Sequence, residues 1–263
     1  MAIVLEINNL SYQDFENIKL SFEDKMFYSI IGANNCGKTT LFKLISGIIP
    51  SNSVFCCDDI DLNEENIFQY IIKLGVLERE TRESFVYKKV LDEMMYPLRN
   101  LDYSYNDSLL RIKEVLNMFD ANYFLDKNIN ELNYYEKELL LLMISLLHKP
   151  KVLLIDSVLE IFPKNIFDKI IIVLRKLISE GLTVINFTNS LNDAYYGDKI
   201  ILLDKKKIVG EYSPRDIFNN DQLFYEHNLE IPFLVDLSIK LKMYNLVDKE
   251  YLDMKEMVDD IWP

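Results

Sequence analysis

Residues 30–40 of this chain read Ile-Ile-Gly-Ala-Asn-Asn-Cys-Gly-Lys-Thr-Thr, an apolar run that stops at a glycine, turns, and restarts as a helix. Residues 26–31 are rich in β-branched and aromatic side chains and suit a buried strand. From Thr39 to Ile45 the apolar positions recur at helical spacing. Gly32 and Gly37 bracket four residues, the spacing a phosphate-binding loop requires. Backbone N–H groups of that loop, across Asn34, Asn35 and Cys36 and on to Thr40 at the helix start, can point at an anion, and the helix N-terminus adds partial positive charge. Lys38 reaches the terminal phosphates, and the Thr39 hydroxyl is placed to ligate Mg²⁺. Nucleotide binding is therefore the first expectation.

At 263 residues and 49% apolar composition, the chain can bury one large core with a small appendage. Its formal charge of -13 removes the basic footprint that nucleic-acid binding requires, so no nucleic-acid partner is expected. The longest apolar run, residues 139–147, is interrupted by Ser145 and is far too short to span a bilayer. No charged-then-apolar leader is evident, and a cytoplasmic location is expected. Cys36, Cys56 and Cys57 lack zinc spacing and read as reduced, small apolar residues. His148 and His227 lack partners at ligand spacing and read as structural.

Residues 3–7 and 18–22 alternate as strands ahead of strand 26–31, an antiparallel start. A short strand is expected at 54–57, a helix opening at Asn63-Glu64-Glu65, and a strand at 73–77. Residues 78–84 read as a charged loop. Helices follow over residues 85–98, closed by Pro97, then 109–119 and 138–147. Four aliphatic residues then lead into Asp156, the pattern of a buried parallel strand ending in a carboxylate, at the sheet edge where ligands collect. That carboxylate can hold the water shell of the Mg²⁺ bound by Thr39. Helices are expected at 167–178 and 192–196 and strands at 182–187 and 199–203, the last paired with 208–209. The alternation argues a mostly parallel sheet covered on both faces. From Pro214 onward the pattern is helical.

With the phosphate loop, the strand-end aspartate and the helical insert between them, the chain resembles an ABC-type ATPase cassette. The likeness is closest to the ATP-binding subunits of energy-coupling-factor (ECF) transporters. Leu10-Ser11-Tyr12 resembles the adenine-stacking loop, residues 44–50 the run after the first helix, and residues 74–77 the strand before the Q-loop. Residues 199–209 with Pro214–Phe218 are similar to the closing hairpin, and residues 231–262 to the ECF tail. The resemblance implies an α/β P-loop NTPase fold with an antiparallel N-terminal β part, a helical insert and a C-terminal helical appendage. It divides the chain into a cassette over 1–215, with its helical subdomain at about 85–148, and a C-terminal segment over 216–263. It also implies ATP and Mg²⁺ as cofactors and head-to-tail pairing with a second, more complete ABC ATPase subunit. An integral-membrane subunit would take up a vitamin or metal ion, with this chain peripheral on the inner face of the cell membrane.

Against that family pattern the hydrolytic positions are replaced. Glu78 stands at the Q-loop glutamine, an acceptor-only carboxylate that could also face the metal. Ser157 stands where the water-activating glutamate belongs and cannot act as a base near neutral pH. Asn189 occupies the switch-histidine position without its charge. Residues 132–136, Leu-Asn-Tyr-Tyr-Glu, replace the signature Leu-Ser-Gly-Gly-Gln, and Glu136 adds negative charge there. Asn35 replaces a loop glycine, and asparagine tolerates the left-handed backbone better than most residues. The expectation is an ATP-binding transport subunit with impaired hydrolysis; the alternative is a catalytically silent nucleotide-binding scaffold or regulatory paralogue.

Overall fold

The computed structural model describes residues 2–79, 85–218, 220–249, 251 and 254–261. Most of the charged loop expected at 78–84, and the end of the ECF-like tail, lie outside them. Strands β1 (Ile3–Tyr12), β2 (Phe15–Glu23), β4 (Val54–Cys57) and β5 (Ile60–Asp61) form an antiparallel sheet in the order β2-β1-β4-β5. A second sheet holds β3 (Phe27–Ile31), β6 (Leu74–Glu78), β7 (Val152–Asp156), β8 (Thr183–Thr188), β9 (Lys199–Asp204) and β10 (Lys207–Tyr212). Its order is β10-β9-β3-β8-β7-β6, parallel except for β10, which returns antiparallel on β9.

The central strands β3, β7 and β8 are buried along their whole length, and β7 accordingly reads as an aliphatic run rather than an alternating one. Their side chains nonetheless divide with period two. Val152 and Leu154 join a core with helix α1 (Lys38–Ile45) and the antiparallel sheet, where Phe42 meets Phe187 edge-on at 5.7 Å. Leu153 and Ile155 join the opposite core, built on α3 (Val90–Asn100), α4 (Tyr105–Met118), α5 (Tyr134–Ser145) and α6 (Lys164–Ser179). Both faces of the parallel sheet are thus covered, and α3 to α5 form the helical insert between β6 and β7.

Two expected helices are corrected. Residues 63–66 turn instead of opening a helix, because the Asn63 side-chain oxygen accepts the Glu65 and Asn66 N–H groups. Helix α2 spans Ile67–Ile71, with no acidic residue in its first turn. The expected helix at 85–98 begins only at Val90. The buried Glu93 carboxylate accepts the backbone N–H of Val86 at 3.0 Å and of Tyr87 at 2.6 Å, which holds the approach out of the helix. Pro97 lies inside α3 rather than closing it.

Beyond β8, α7 (Leu191–Ala194), α8 (Pro214–Phe218) and α9 (Asp221–Glu226) pack beside β9 through Leu191, Ile217, Phe218 and Phe224. The tail helices α10 (Phe233–Met243) and α11 (Met254–Ile261) share a small apolar cluster of their own around Val247, Tyr251 and Met257. Among the described residues no helix is long and apolar enough to cross a membrane.

Candidate nucleotide site

The phosphate loop leaves β3 at the C-terminal edge of the parallel sheet and runs into α1. A Cβ on Gly32 would lie 2.1 Å from the Leu203 carbonyl oxygen and 2.5 Å from Cys36 Sγ, so only glycine lets the loop start against β9. Gly37 has φ of 114°, and a Cβ there would meet the Phe15 ring at 2.8 Å. Asn35 takes the expected left-handed conformation, with φ of 63°. Lys38 is buried, and its ammonium donates to the carbonyls of Gly32 at 2.7 Å and Ala33 at 3.0 Å, folded over the loop it serves.

Around this loop lies an open cavity of about 410 Å³, lined by Asn34, Asn35, Gly37, Lys38, Thr39 and Thr40. Ser157 and Asn189 join it from the ends of β7 and β8, and Gln13, Arg79, Glu160 and Lys206 complete it. Asp156 stands beside it at the end of β7; burial pushes its carboxyl pKa up, and the neighbouring Thr39 hydroxyl opposes the shift. Cys36 is buried under the loop, where burial raises its thiol against the pull of Lys38. Burial also pushes the Cys56 thiol up to about 11 and the Cys57 thiol up to about 12, which keeps both protonated and unreactive near neutral pH.

Eight of the thirteen sequence-predicted residues line this one cavity; Gly32, Cys36 and Asp156 adjoin it, and Tyr12 and Glu78 take other partners. Tyr12 lines a separate hollow with Ser53, Val54 and Leu62, and its ring packs on the core between the sheets. The turn of the β1–β2 hairpin brings the next residue, Gln13, to the phosphate loop instead. Glu78 ends β6 opposite Asp156 and is ion-paired to Lys43 at 3.1 Å. Asn189 donates to the Asn34 side chain at 2.9 Å. Ser157 adopts φ of 56°, with its hydroxyl 3.4 Å from Asp156 Oδ1.

The replaced signature is built as a helix start. Asn133 caps α5 by accepting from the Glu136 N–H at 3.0 Å, and Glu136 accepts from the Asn133 N–H at 2.9 Å. Glu136 also faces Lys127 at 3.4 Å and accepts from the Tyr123 hydroxyl at 3.2 Å. The negative charge that Glu136 adds is therefore engaged by the cap and by Lys127. Tyr134 and Tyr135 remain exposed and stack edge-on at 5.7 Å.

Four cavity residues were not legible as site residues. Lys206 belongs to the two-residue turn Lys205-Lys206, both with positive φ, and its N–H donates to the Cys36 carbonyl at 2.8 Å; the hairpin turn thus docks on the phosphate loop. Its ammonium pairs with Asp14 at 2.7 Å. Arg79 donates to the Ser157 carbonyl at 3.0 Å and pairs with Glu160 at 2.7 Å. Gln13 has only its place next to the aromatic loop as a signal.

The donor set suits Mg²⁺. The Thr39 hydroxyl and the Asp156 carboxylate are neighbouring hard oxygen donors, and Mg²⁺ in phosphate sites takes one or two such groups and fills the rest with water and phosphate oxygen. Among the described residues no group of three or more His, Cys, Asp or Glu is placed to hold a metal alone.

Comparison with known proteins bears on the family and the fold. The family described as "ABC transporter" matches residues 15–160, more than half of the chain. The energy-coupling factor transporter ATP-binding protein EcfA1 of Oenococcus oeni is 25% identical over 98% of this chain and 97% of its own length. That of Mesomycoplasma hyopneumoniae is 27% identical over 97% and 93%. Among solved structures, cbiO1 from Clostridium perfringens, part of the ABC transporter complex cbiONQ, superposes with a TM-score of 0.76 at 20% identity, covering 90% of this chain and 99% of that one. The cassette MJ0796, solved as a dimer bound to ADP and Pi, gives 0.69 at 22% identity, covering 80% and 99%. The glycine-bracketed loop, the strand-end aspartate beside its threonine, the sheet order and these matches together establish that the chain belongs to the ABC transporter family.

Proposed function

We propose that this chain is the ATP-binding subunit of an ECF-type ABC transporter. It binds Mg-ATP, and its closure on nucleotide is coupled to an integral-membrane subunit that takes up a small micronutrient. The observation that carries the reading is the phosphate loop with Lys38 folded into it, with Thr39 in the first turn of α1 and Asp156 at the end of β7 beside it. Backbone N–H groups at the start of α1 take the phosphates, and Lys38 exchanges the Gly32 and Ala33 carbonyls for phosphate oxygens. Thr39 and Asp156 would hold Mg²⁺, which would supply positive charge against the phosphates. The full-length likeness to the EcfA1 proteins supports the transport assignment and a heterodimer with a second ABC ATPase. It also supports a peripheral place on the inner face of the membrane. The cassette is assigned to 1–215 and the C-terminal helical segment to 216–263.

Hydrolysis is slowed in this account. Ser157 brings no base to the cavity, and Asn189 is an amide bonded to Asn34. Losing a positioned general base typically costs about two to four orders of magnitude in rate, or roughly 3–5 kcal/mol. The same two residues favour a second reading, a silent nucleotide-binding scaffold of the transporter. Calorimetric titration of Mg-ATP into the wild type and Lys38→Ala tests the binding step shared by both. Loss of binding in the variant is expected, and equal affinity would reject the site. Reconstitution with a membrane subunit separates the two readings, since only the first requires that Lys38→Ala in this chain reduces uptake.

A further inference from the structure

The cavity lacks a cation at the switch position, yet it is not short of positive charge. Arg79 lies next in the chain to Glu78 at the end of β6 and lines the same cavity as Lys38, Thr39 and Thr40. Its Nε donates to the Ser157 carbonyl at 3.0 Å, and its Nη2 is 2.7 Å from Glu160 Oε1. Ser157 follows Asp156, the strand-end carboxylate next to Thr39, so the guanidinium sits on the metal side of the cavity. The ammonium of Lys206 is turned to Asp14 at the β1–β2 turn. Glu160 is close enough to Lys38 and Asp156 to interact electrostatically with both, which places its partner Arg79 in the same field.

We propose that Arg79 is the ligand for the terminal phosphate, standing in for the charge missing at Asn189, and that Glu160 holds it in place until ATP takes it over. The inference rests on the nucleotide-binding reading above. An arginine presents a planar fork of donors matched to phosphate oxygens, and a phosphate carrying charge close to -2 attracts it more strongly than one carboxylate. Side-chain access is not limiting, because Arg79 is about half exposed in its ion pair. A nucleotide that ends at the β-phosphate is one phosphoryl group shorter and offers Arg79 no terminal phosphate to take, so Arg79 stays on Glu160. The consequence is discrimination of ATP from ADP by a residue outside the phosphate loop.

The test is equilibrium binding of Mg-ATP and Mg-ADP to the purified full chain, for the wild type, Arg79→Ala and Glu160→Gln, with Lys38→Ala beside them. Arg79→Ala is expected to weaken ATP about 10-fold or more while changing ADP less than about 2-fold. Glu160→Gln releases Arg79 and removes an anion from the cavity, so it should tighten ATP a few-fold and ADP by less. Unchanged ATP affinity in Arg79→Ala, or equal weakening of both nucleotides, would overturn the assignment, as would weaker ATP binding by Glu160→Gln. Failure of the wild type to bind either nucleotide, or indifference to Lys38→Ala, would instead reject the underlying site. Unchanged ADP binding in the Arg79 variant also reports that it is folded.

Discussion

Replacing Asp193 by asparagine should stabilise the protein in a pH-dependent way. Asp193 sits on α7, nine-tenths buried, with Oδ2 lacking a hydrogen-bond partner. Burial and the nearby Glu160 push its carboxyl up to about 7, from an ordinary 3.8, while the Ser190 hydroxyl and Lys164 pull the other way. A carboxyl whose folded pKa is raised binds its proton more tightly in the native state. Stability is therefore highest below the unfolded pKa and is lost as pH climbs through the window from about 4 to 7. Three pKa units at 1.36 kcal/mol each put the ceiling of that loss at about 4 kcal/mol. Asparagine carries no charge to desolvate and keeps an oxygen for Ser190. Urea denaturation followed by circular dichroism at pH 4.5 and pH 8 would read the difference between Asp193→Asn and wild type. It should be within about 1 kcal/mol at the lower pH and grow to about 2–4 kcal/mol in favour of the variant at the higher. A pH-independent difference, or one that shrinks as pH rises, would refute the reasoning.

Two further outcomes follow from packing. Gly32→Ala places a methyl group 2.1 Å from the Leu203 carbonyl oxygen, so β9 and the loop must part. Thermal denaturation should fall by roughly 6 °C or more, for a cost of about 3 kcal/mol or more, and Mg-ATP titration should show binding lost. Asn186 in β8 is fully buried with neither side-chain amide atom hydrogen-bonded, so Asn186→Leu should raise the denaturation free energy by about 1–3 kcal/mol. A decrease there would mean that the amide is satisfied in solution.

Much of this architecture was legible in the sequence because the deciding signals are local. The strand that stops at Gly32, the aliphatic run ending in Asp156 and the return of residues 208–209 on β9 all depend on periodicity and on glycine. What was not legible depends on contacts between distant residues or on side chains competing with the backbone. The Glu93 carboxylate takes two N–H groups from residues six and seven positions earlier, and this delays α3. Asn63 caps a turn where its neighbours Glu64 and Glu65 suggested a helix. Arg79 and Glu160 are 81 residues apart, and only the parallel pairing of β6 with β7 brings them together. Lys206 had a local signal, since a two-residue turn between paired strands must tolerate positive φ, but nothing in that turn told which loop it would dock on.

The separation of binding from hydrolysis is the central claim, and it is tested most directly by measuring both on one preparation. Mg-ATP affinity would be taken by calorimetry and phosphate release under single turnover, for wild type, Lys38→Ala and Ser157→Glu. The account predicts that wild type binds, that Lys38→Ala does not, and that phosphate release by wild type is about two to four orders of magnitude below that of a complete ABC cassette assayed alongside. Release at the rate of the complete cassette by wild type, unaltered in Ser157→Glu, would contradict it and require a base elsewhere in the cavity.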